Sequence, residues 1–210
     1  VWMNIRSSLR PESKGPLGMT EERMFIQTEP TPNPQTLKFI PGVTVMNEGV
    51  ADFRGPEDAA VSPLARRLFE VDGVEGVYLG HDFVSVSKHE NVEWHHIKPS
   101  ILGAIMEHFS AGLPVIEDGA SIGTASAHAD AGDGDPEIVK QIVELLDSRV
   151  RPAVAQDGGD IVFHGFDDGV VYLAMQGACQ GCPSSVMTLK HGIENLLRHY
   201  VPEVQEVRAV

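Results

Sequence analysis

The chain has 210 residues, of which 42% are hydrophobic and 22% charged, a composition typical of a globular protein. Its net charge of −14 argues against nucleic acid or an anionic membrane as the main partner. No apolar run in the sequence approaches the roughly 18 residues that a membrane helix needs, so we expect neither nucleic acid nor a membrane as a partner.

Residues 1–23 are predicted to form a disordered leader. They lack the continuous apolar stretch of a secretory signal. Arg6 and Arg10 are typical of an organellar transit peptide, whereas Glu12 and Glu21 are not. We therefore expect the bacterial cytoplasm as the location, with the mitochondrial matrix as the alternative.

Residues 24–111 are predicted to form a first domain that contains both strands and helices. Polarity alternation, proline positions and helical spacing of apolar residues predict five strands and two helices. In chain order these are strands at Met24–Gln27, Thr36–Ile40 and Val50–Phe53, a helix at Pro63–Val71, a hairpin at Val74–Leu79 and Phe83–Lys88, and a helix at Ile97–Phe109.

Residues 112–135 are predicted to form a flexible acidic linker, because small and acidic residues dominate there and almost none could be buried.

Residues 136–210 are predicted to form a second domain. A helix is expected from Asp135-Pro136 to near Arg151-Pro152, followed by a turn at Asp157–Asp160. The remaining elements are a hairpin at Ile161–Gly165 and Val170–Ala174, a helix that starts at Pro183 and stops before Pro202, and a strand at Val204–Val207. The predicted fold class is α+β, with two small domains.

Cys179 and Cys182 are the only cysteines of the sequence, and they lie in a glycine-containing loop just before the Pro183 helix. Two thiols at this spacing can bind one metal centre, but they supply half of the four ligands that zinc or an iron–sulfur cluster usually takes. A second copy of the chain most simply completes such a site. The nearby helix N-terminus is expected to favour the thiolate form of both cysteines.

Several interpretations of this pair stay open on the residues alone. The cysteines could be buried small hydrophobes, a thioredoxin-like dithiol, a structural zinc site, or ligands of an iron–sulfur cluster shared across a dimer. The polar loop disfavours the first. His164 and His191 have no recognisable ligand spacing to the cysteines and are expected to be surface or packing residues.

Two other pairs of polar residues are weaker candidates for a functional site. His95 and His96 are adjacent, so their rings point in different directions and a metal site is disfavoured. Asp157 and Asp160 flank two glycines, which favours a turn held by side-chain-to-backbone hydrogen bonds over acid–base catalysis. No catalytic triad or phosphate-binding loop is recognisable, and the chain is expected not to be an enzyme.

The motifs of the second domain together resemble the C-terminal domain of NifU, as found in Nfu-type iron–sulfur scaffold and carrier proteins. The resemblance covers nearly all of residues 136–208, and it is most specific in the cysteine loop at 177–185 (GACQGCPSS). It also includes the segments at 150–161 (VRPAVAQDGGDI), 170–173 (VVYL) and 188–194 (TLKHGIE). Residues 24–34 (MFIQTEPTPNP) and 37–39 (LKF) resemble the N-terminal domain of two-domain members, over roughly residues 24–110.

The resemblance implies a protein that assembles or carries a [4Fe-4S] cluster and passes it to apo-proteins. It also implies that Cys179 and Cys182 are the cluster ligands, two from each subunit of a homodimer loaded by upstream assembly proteins. The first domain contains no cysteine, so its expected role is recognition of target proteins or strengthening of the assembly. A dithiol redox protein and a structural zinc module are the alternatives.

Overall fold

The computed structural model of the chain describes residues 25–117, 119, 135–180 and 183–210. These residues form two sheets of five and three strands, and each sheet packs with its own helices around its own apolar core. The predicted α+β fold class with two domains is confirmed. The predicted leader and most of the predicted linker lie outside the described residues. In the described part of the chain, every helix is too short or too polar to cross a bilayer.

The first domain is an antiparallel sheet, in the order β1-β2-β5-β4-β3, with two helices on one face. Its elements are β1 (Gln27–Pro30), β2 (Thr36–Ile40), β3 (Ala51–Phe53), a 3₁₀ turn (Asp58–Val61), α1 (Pro63–Phe69), β4 (Val74–Leu79), β5 (Val84–Lys88) and α2 (Trp94–Ser110). Alternate residues of the strands, such as Phe39, Val77 and Val86, are buried with Leu68 and Ile101 of the helices.

The predicted elements of this domain are present, with shifted ends. β2 and β4 have the predicted bounds, but the first strand lies at Gln27–Pro30 rather than Met24–Gln27. Its pairing with β2 sets this position, since Gln27 lies opposite Ile40 and Pro30 opposite Leu37. β1 is an edge strand, where the missing N–H of Pro30 is tolerated.

The second domain has three consecutive helical segments before a three-stranded sheet, and α5 connects the last two strands. Its elements are α3 (Pro136–Leu145), a π-helical segment (Leu146–Val150), α4 (Arg151–Gln156), β6 (Gly159–Asp167), β7 (Val170–Gly177), α5 (Pro183–Tyr200) and β8 (Glu206–Ala209). β6 and β7 form an antiparallel hairpin, and β8 pairs parallel to β7.

The expected end of the first helix near Arg151-Pro152 is wrong, because helical structure continues to Gln156. Proline inside an α-helix clashes with the carbonyl four residues earlier. The chain avoids the clash by widening the preceding turn into the π-helical segment, where the Arg151 amide donates to the carbonyl of Leu146. Pro152 then lies in the first turn of α4, where its missing N–H costs little.

β7 continues three residues beyond its predicted end at Ala174, because its pairing with β6 extends to Gly159 opposite Gly177. The predicted turn at Asp157–Asp160 is correspondingly shorter, since Gly159 already belongs to β6. The last strand lies at Glu206–Ala209, two residues later than predicted. Cys179 therefore lies two residues after the end of a strand.

His108 of α2 is fully buried, and among the described residues neither of its ring nitrogens makes a hydrogen bond. Burial lowers its pKa, the charge of Arg67 lowers it further, and the backbone of Leu113 and Pro114 acts in the opposite direction. The ring is therefore held neutral in the folded chain.

We expect acidification to destabilise the first domain through His108. The unfolded chain binds a proton at this ring near the ordinary value of 6.5, and the folded chain does so only at lower pH. The stabilising contribution is therefore complete above that value and is lost as the pH falls below it. Urea unfolding at about pH 7.5 and about pH 5.5 should show an extra loss on the order of 1 kcal/mol that His108→Leu abolishes. His96→Leu, at an exposed position, serves as the control, and equal losses in both variants would contradict the assignment.

Candidate metal centre

The cysteine loop begins where β7 ends, at a glycine that no other residue could replace without strain. Gly177 has a φ of +60°, in the left-handed region that favours glycine. A Cβ atom there would lie 2.8 Å from the carbonyl oxygen of Gly158 and 2.9 Å from the ring of Tyr78. The chain then turns tightly, since the amide of Cys179 donates to the Gln176 carbonyl at 3.3 Å.

Cys179 is a free thiol that packs into the core of the second domain, with 8% of its surface exposed. Its Sγ would lie 2.6 Å from a Cβ atom on Gly159, so that glycine leaves the space that the sulfur occupies. The sulfur thus points inward against β6 in the described structure.

The expectation that the helix N-terminus favours the thiolate is wrong for Cys179. Burial raises the pKa of its thiol from 9.0 to about 12, and the negative charges of Asp157 and Asp160 add to the shift. Loss of hydration and two nearby carboxylates outweigh the helix dipole at this distance. Cys179 is therefore a protonated thiol at neutral pH in this conformation.

Asp160 is a buried carboxylate with an arginine partner that the sequence pattern did not indicate. Arg151 binds it through two hydrogen bonds, from Nε to Oδ1 at 2.8 Å and from Nη2 to Oδ2 at 2.6 Å. Its Oδ1 also accepts from the backbone amide of Ile161 at 2.8 Å, which is a side-chain-to-backbone bond of the predicted kind. Asp157 is exposed. The pair fixes α4 against the start of β6, beside Cys179.

The other candidate ligands are not assembled around Cys179. Cys182, its predicted partner ligand, lies outside the described residues. His164 and His191 are exposed, as expected for surface residues, and so are His95 and His96. Within the described ranges, no three histidine, cysteine or acidic side chains are grouped so that they could hold a metal ion. A tetrahedral zinc site within one subunit is therefore not formed by these residues.

The first domain lies beside the cysteine loop. A cleft of about 510 Å³ opens between the two domains, and its lining includes Arg54 and Tyr78 of the first domain with Gly177 and Gln180 of the second. The side-chain amide of Asn33 donates to the carbonyl oxygen of Gln180 at 2.8 Å. Sequence analysis singled out none of these first-domain residues.

Two family profiles match the chain, and each covers one of the two sheets with its helices. The profile described as "Scaffold protein Nfu/NifU N terminal" matches residues 26–112, and the profile described as "NifU-like domain" matches residues 142–208. The fold and the cysteine loop thus define a protein of the NifU-like class.

Similar proteins identify the family within this class. The chain is 48% identical over 188 residues to the human protein named "NFU1 iron-sulfur cluster scaffold homolog, mitochondrial", with 89% of the chain and 72% of the relative covered. It is 50% identical to the protein of the same name from Drosophila sechellia, also over 89% of the chain. The chain spans 65% of the length of that fly relative. A solution NMR structure of a NifU-like protein from Saccharomyces cerevisiae is 25% identical, with a TM-score of 0.43, and covers 52% of this chain and 99% of that one. The chain belongs to the Nfu family.

We expect the Cys179 thiol to react slowly in the folded chain. In a Cys182→Ser variant, which leaves Cys179 as the one thiol, alkylation by iodoacetamide at about pH 8 should be at least about tenfold slower than in the same variant unfolded in urea, because burial suppresses the thiolate. The rate of adduct formation by mass spectrometry measures this. Equal rates in the two states would show that the sulfur is accessible and ionises normally.

Removal of the Arg151 guanidinium should destabilise the second domain strongly, since it leaves the buried Asp160 carboxylate without its charged partner. We expect Arg151→Met to lower the free energy of unfolding by about 3 kcal/mol. The matched control is Arg198→Met, which removes a half-exposed arginine that pairs with Glu194 within one helix and should cost below about 1 kcal/mol. Urea denaturation followed by circular dichroism compares them, and similar losses would contradict a special role for the Asp160 pair.

Proposed function

We propose that this chain is an iron–sulfur cluster scaffold that binds a [4Fe-4S] cluster as cargo and passes it to apo-proteins. The observation that supports it is the pair of cysteines on a NifU-like strand-to-helix loop, in a chain about half identical to proteins named as iron–sulfur cluster scaffolds. Thiolates are the ligands that such clusters prefer.

Cys179 and Cys182 are the proposed ligands, and the sequence contains no third cysteine. Four thiolates for one cluster then require two subunits, which makes the loaded form a homodimer. A cluster held at a subunit interface by two thiolates from each chain can leave by ligand exchange. As target thiolates bind the iron ions one by one, the carrier thiolates dissociate, and the cluster moves without any change in its oxidation state.

Loading requires Cys179 to change its surroundings. Its buried thiol has a raised pKa, so it must lose its proton and leave the pocket beside Gly159 before it binds iron. The positive charge of bound iron offsets the cost of the thiolate, as coordination does for thiols in general. Cluster binding is therefore coupled to a local rearrangement of the cysteine loop.

The two domains have different roles in this proposal. Residues 136–210 hold the cluster, and residues 24–111 contact partner proteins, either the apo-proteins that receive the cluster or the upstream proteins that supply it. The protein acts as a carrier and not as an enzyme. Its location is the mitochondrial matrix, which was the alternative in our sequence analysis, because the relatives are named mitochondrial. The bacterial cytoplasm finds no support among them.

A dithiol redox protein is the second candidate. Redox cysteines react as exposed thiolates of lowered pKa, whereas burial raises the pKa of Cys179. The raised pKa disfavours metal binding in this conformation as well, and the similarity to proteins named as iron–sulfur cluster scaffolds is what favours the scaffold. A structural zinc module, the third candidate, would bind metal without inorganic sulfide.

Reconstitution under anaerobic conditions tests the proposal. We expect about four iron and four sulfide ions per dimer, a broad visible absorption band, and a shift from monomer to dimer on a sizing column. Cys179→Ser and Cys182→Ser should each abolish cluster retention, while His191→Ala, at an exposed position on α5, should leave it unchanged. A colourless protein that binds zinc but no sulfide, or an iron-loaded monomer without an external thiol, would refute it.

A further inference from the structure

The first-domain sheet has a second face that carries polar residues in one row. Across neighbouring strands, Lys38 lies opposite Ser85, Ser85 opposite Tyr78, and Tyr78 opposite Asp52. We call these four residues the polar row. They point away from the helices of their own domain, yet Lys38, Ser85 and Tyr78 are 8%, 1% and 2% exposed. Something outside the first domain therefore covers them.

The second domain covers the polar row at the turn before β6. The ammonium group of Lys38 donates to the carbonyl oxygens of Ala155 and Gln156, both at 3.1 Å. These carbonyls belong to the last turn of α4, where the helix dipole favours a cation. The hydroxyl of Ser85 donates to the carbonyl oxygen of Gly158 at 2.6 Å.

The other half of the row lies next to the end of β7, just before Cys179. The Tyr78 ring packs against the backbone of Gly177, and Asp52, Tyr78 and Gly177 line the same cleft. Two of these contacts need glycine as the neighbour. A Cβ atom on Gly158 would lie 2.7 Å from the Ser85 hydroxyl, and one on Gly177 would lie 2.9 Å from the Tyr78 ring.

Further contacts hold the far side of the cysteine. Asn33 donates to the carbonyl of Gln180 at 2.8 Å, and the Gln180 amide, oriented with its oxygen toward Arg54, accepts from that guanidinium at 2.8 Å. First-domain side chains thus bind residue 177 on one side of Cys179 and residue 180 on the other. The segment that must move for Cys179 to bind iron is held at both ends.

We propose that the polar row is an intramolecular docking surface for the cysteine loop, and that the docked chain is a closed form from which Cys179 does not reach a second subunit. Two loops that share one cluster must approach within a few ångströms of each other, and a domain bonded to Gln180 occupies that neighbourhood. Because both domains belong to one chain, a modest set of hydrogen bonds suffices for docking, and cluster loading requires its release. The role of the second subunit rests on the function proposed above; the docking itself does not.

Ser85→Arg in the full chain tests the docking, because its long charged side chain cannot fit against Gly158. In the Cys182→Ser background we expect about tenfold faster alkylation of Cys179 than with Ser85 intact, together with a larger radius of gyration in small-angle X-ray scattering. Ser100→Arg is the control. Ser100 is exposed on α2, on the helix side of the sheet and away from the polar row, so this substitution should change neither measurement.

A second variant keeps the test decisive if Ser85→Arg does not fold. Lys38→Met with Ser85→Ala removes the hydrogen bonds to Ala155, Gln156 and Gly158 without added bulk and should increase both measurements in the same direction. Folded variants with unchanged alkylation and unchanged radius of gyration would overturn the docking proposal, even if the wild type binds a cluster. Variants that open as expected, in a chain that takes up no iron and sulfide, would support the docking and refute the scaffold function.

Discussion

Three glycines at the end of the β6–β7 hairpin allow backbone segments and side chains to approach more closely than any other residue type would permit. Gly159 leaves room for the sulfur of Cys179, and Gly177 allows the chain to turn next to the carbonyl of Gly158. The same lack of Cβ atoms lets Ser85 and Tyr78 of the first domain pack directly on the backbone of the second. The position of the thiol and the contact between the domains therefore depend on one steric condition.

This arrangement determines which protonation state of the Cys179 thiol is stable. A sulfur packed into an apolar core near two carboxylates is stable as a neutral group and unfavourable as an anion, so its burial suppresses both oxidation and metal capture. In the function proposed above, iron reverses the balance, since it replaces the proton with a cation that the sulfur binds strongly. The buried state is thus a resting state for the cysteine, and exposure of the thiol has to accompany binding.

Local patterns predicted most of the fold, and their failures have physical causes. Alternation and helical spacing located the described strands and helices to within a few residues, apart from the 3₁₀ turn at Asp58–Val61 and the continuation of helical structure through α4, since those signals arise from short-range burial. The π-helical turn before Pro152 was not predicted, because periodicity does not show how a chain accommodates a proline inside a helical run. β7 was predicted too short because Gln176 and Gly177 resemble a loop, and their strand conformation comes from pairing with β6.

The sequence pointed to the cysteine loop but not to its surroundings. The cysteine spacing predicted a ligand pair, and that pair stays a prediction, whereas the raised pKa of the Cys179 thiol comes from the core around it and from Asp157 and Asp160. The partners from the first domain had no local signal at all: Asn33 and Gln180 are 147 positions apart, and Ser85 and Gly158 are 73 apart. Contacts of this range follow from tertiary packing, which a single sequence does not reveal.

The parallel pairing of β8 with β7 has a mechanical consequence for the second domain. It makes β7, the cysteine segment and α5 the parts of a strand–helix–strand crossover whose two strands are bonded side by side. The connection between strand and helix is therefore attached at each end to an element of the folded core. In the scaffold proposed above, a rearrangement confined to this connection would expose Cys179 and leave the β7–β8 pairing intact.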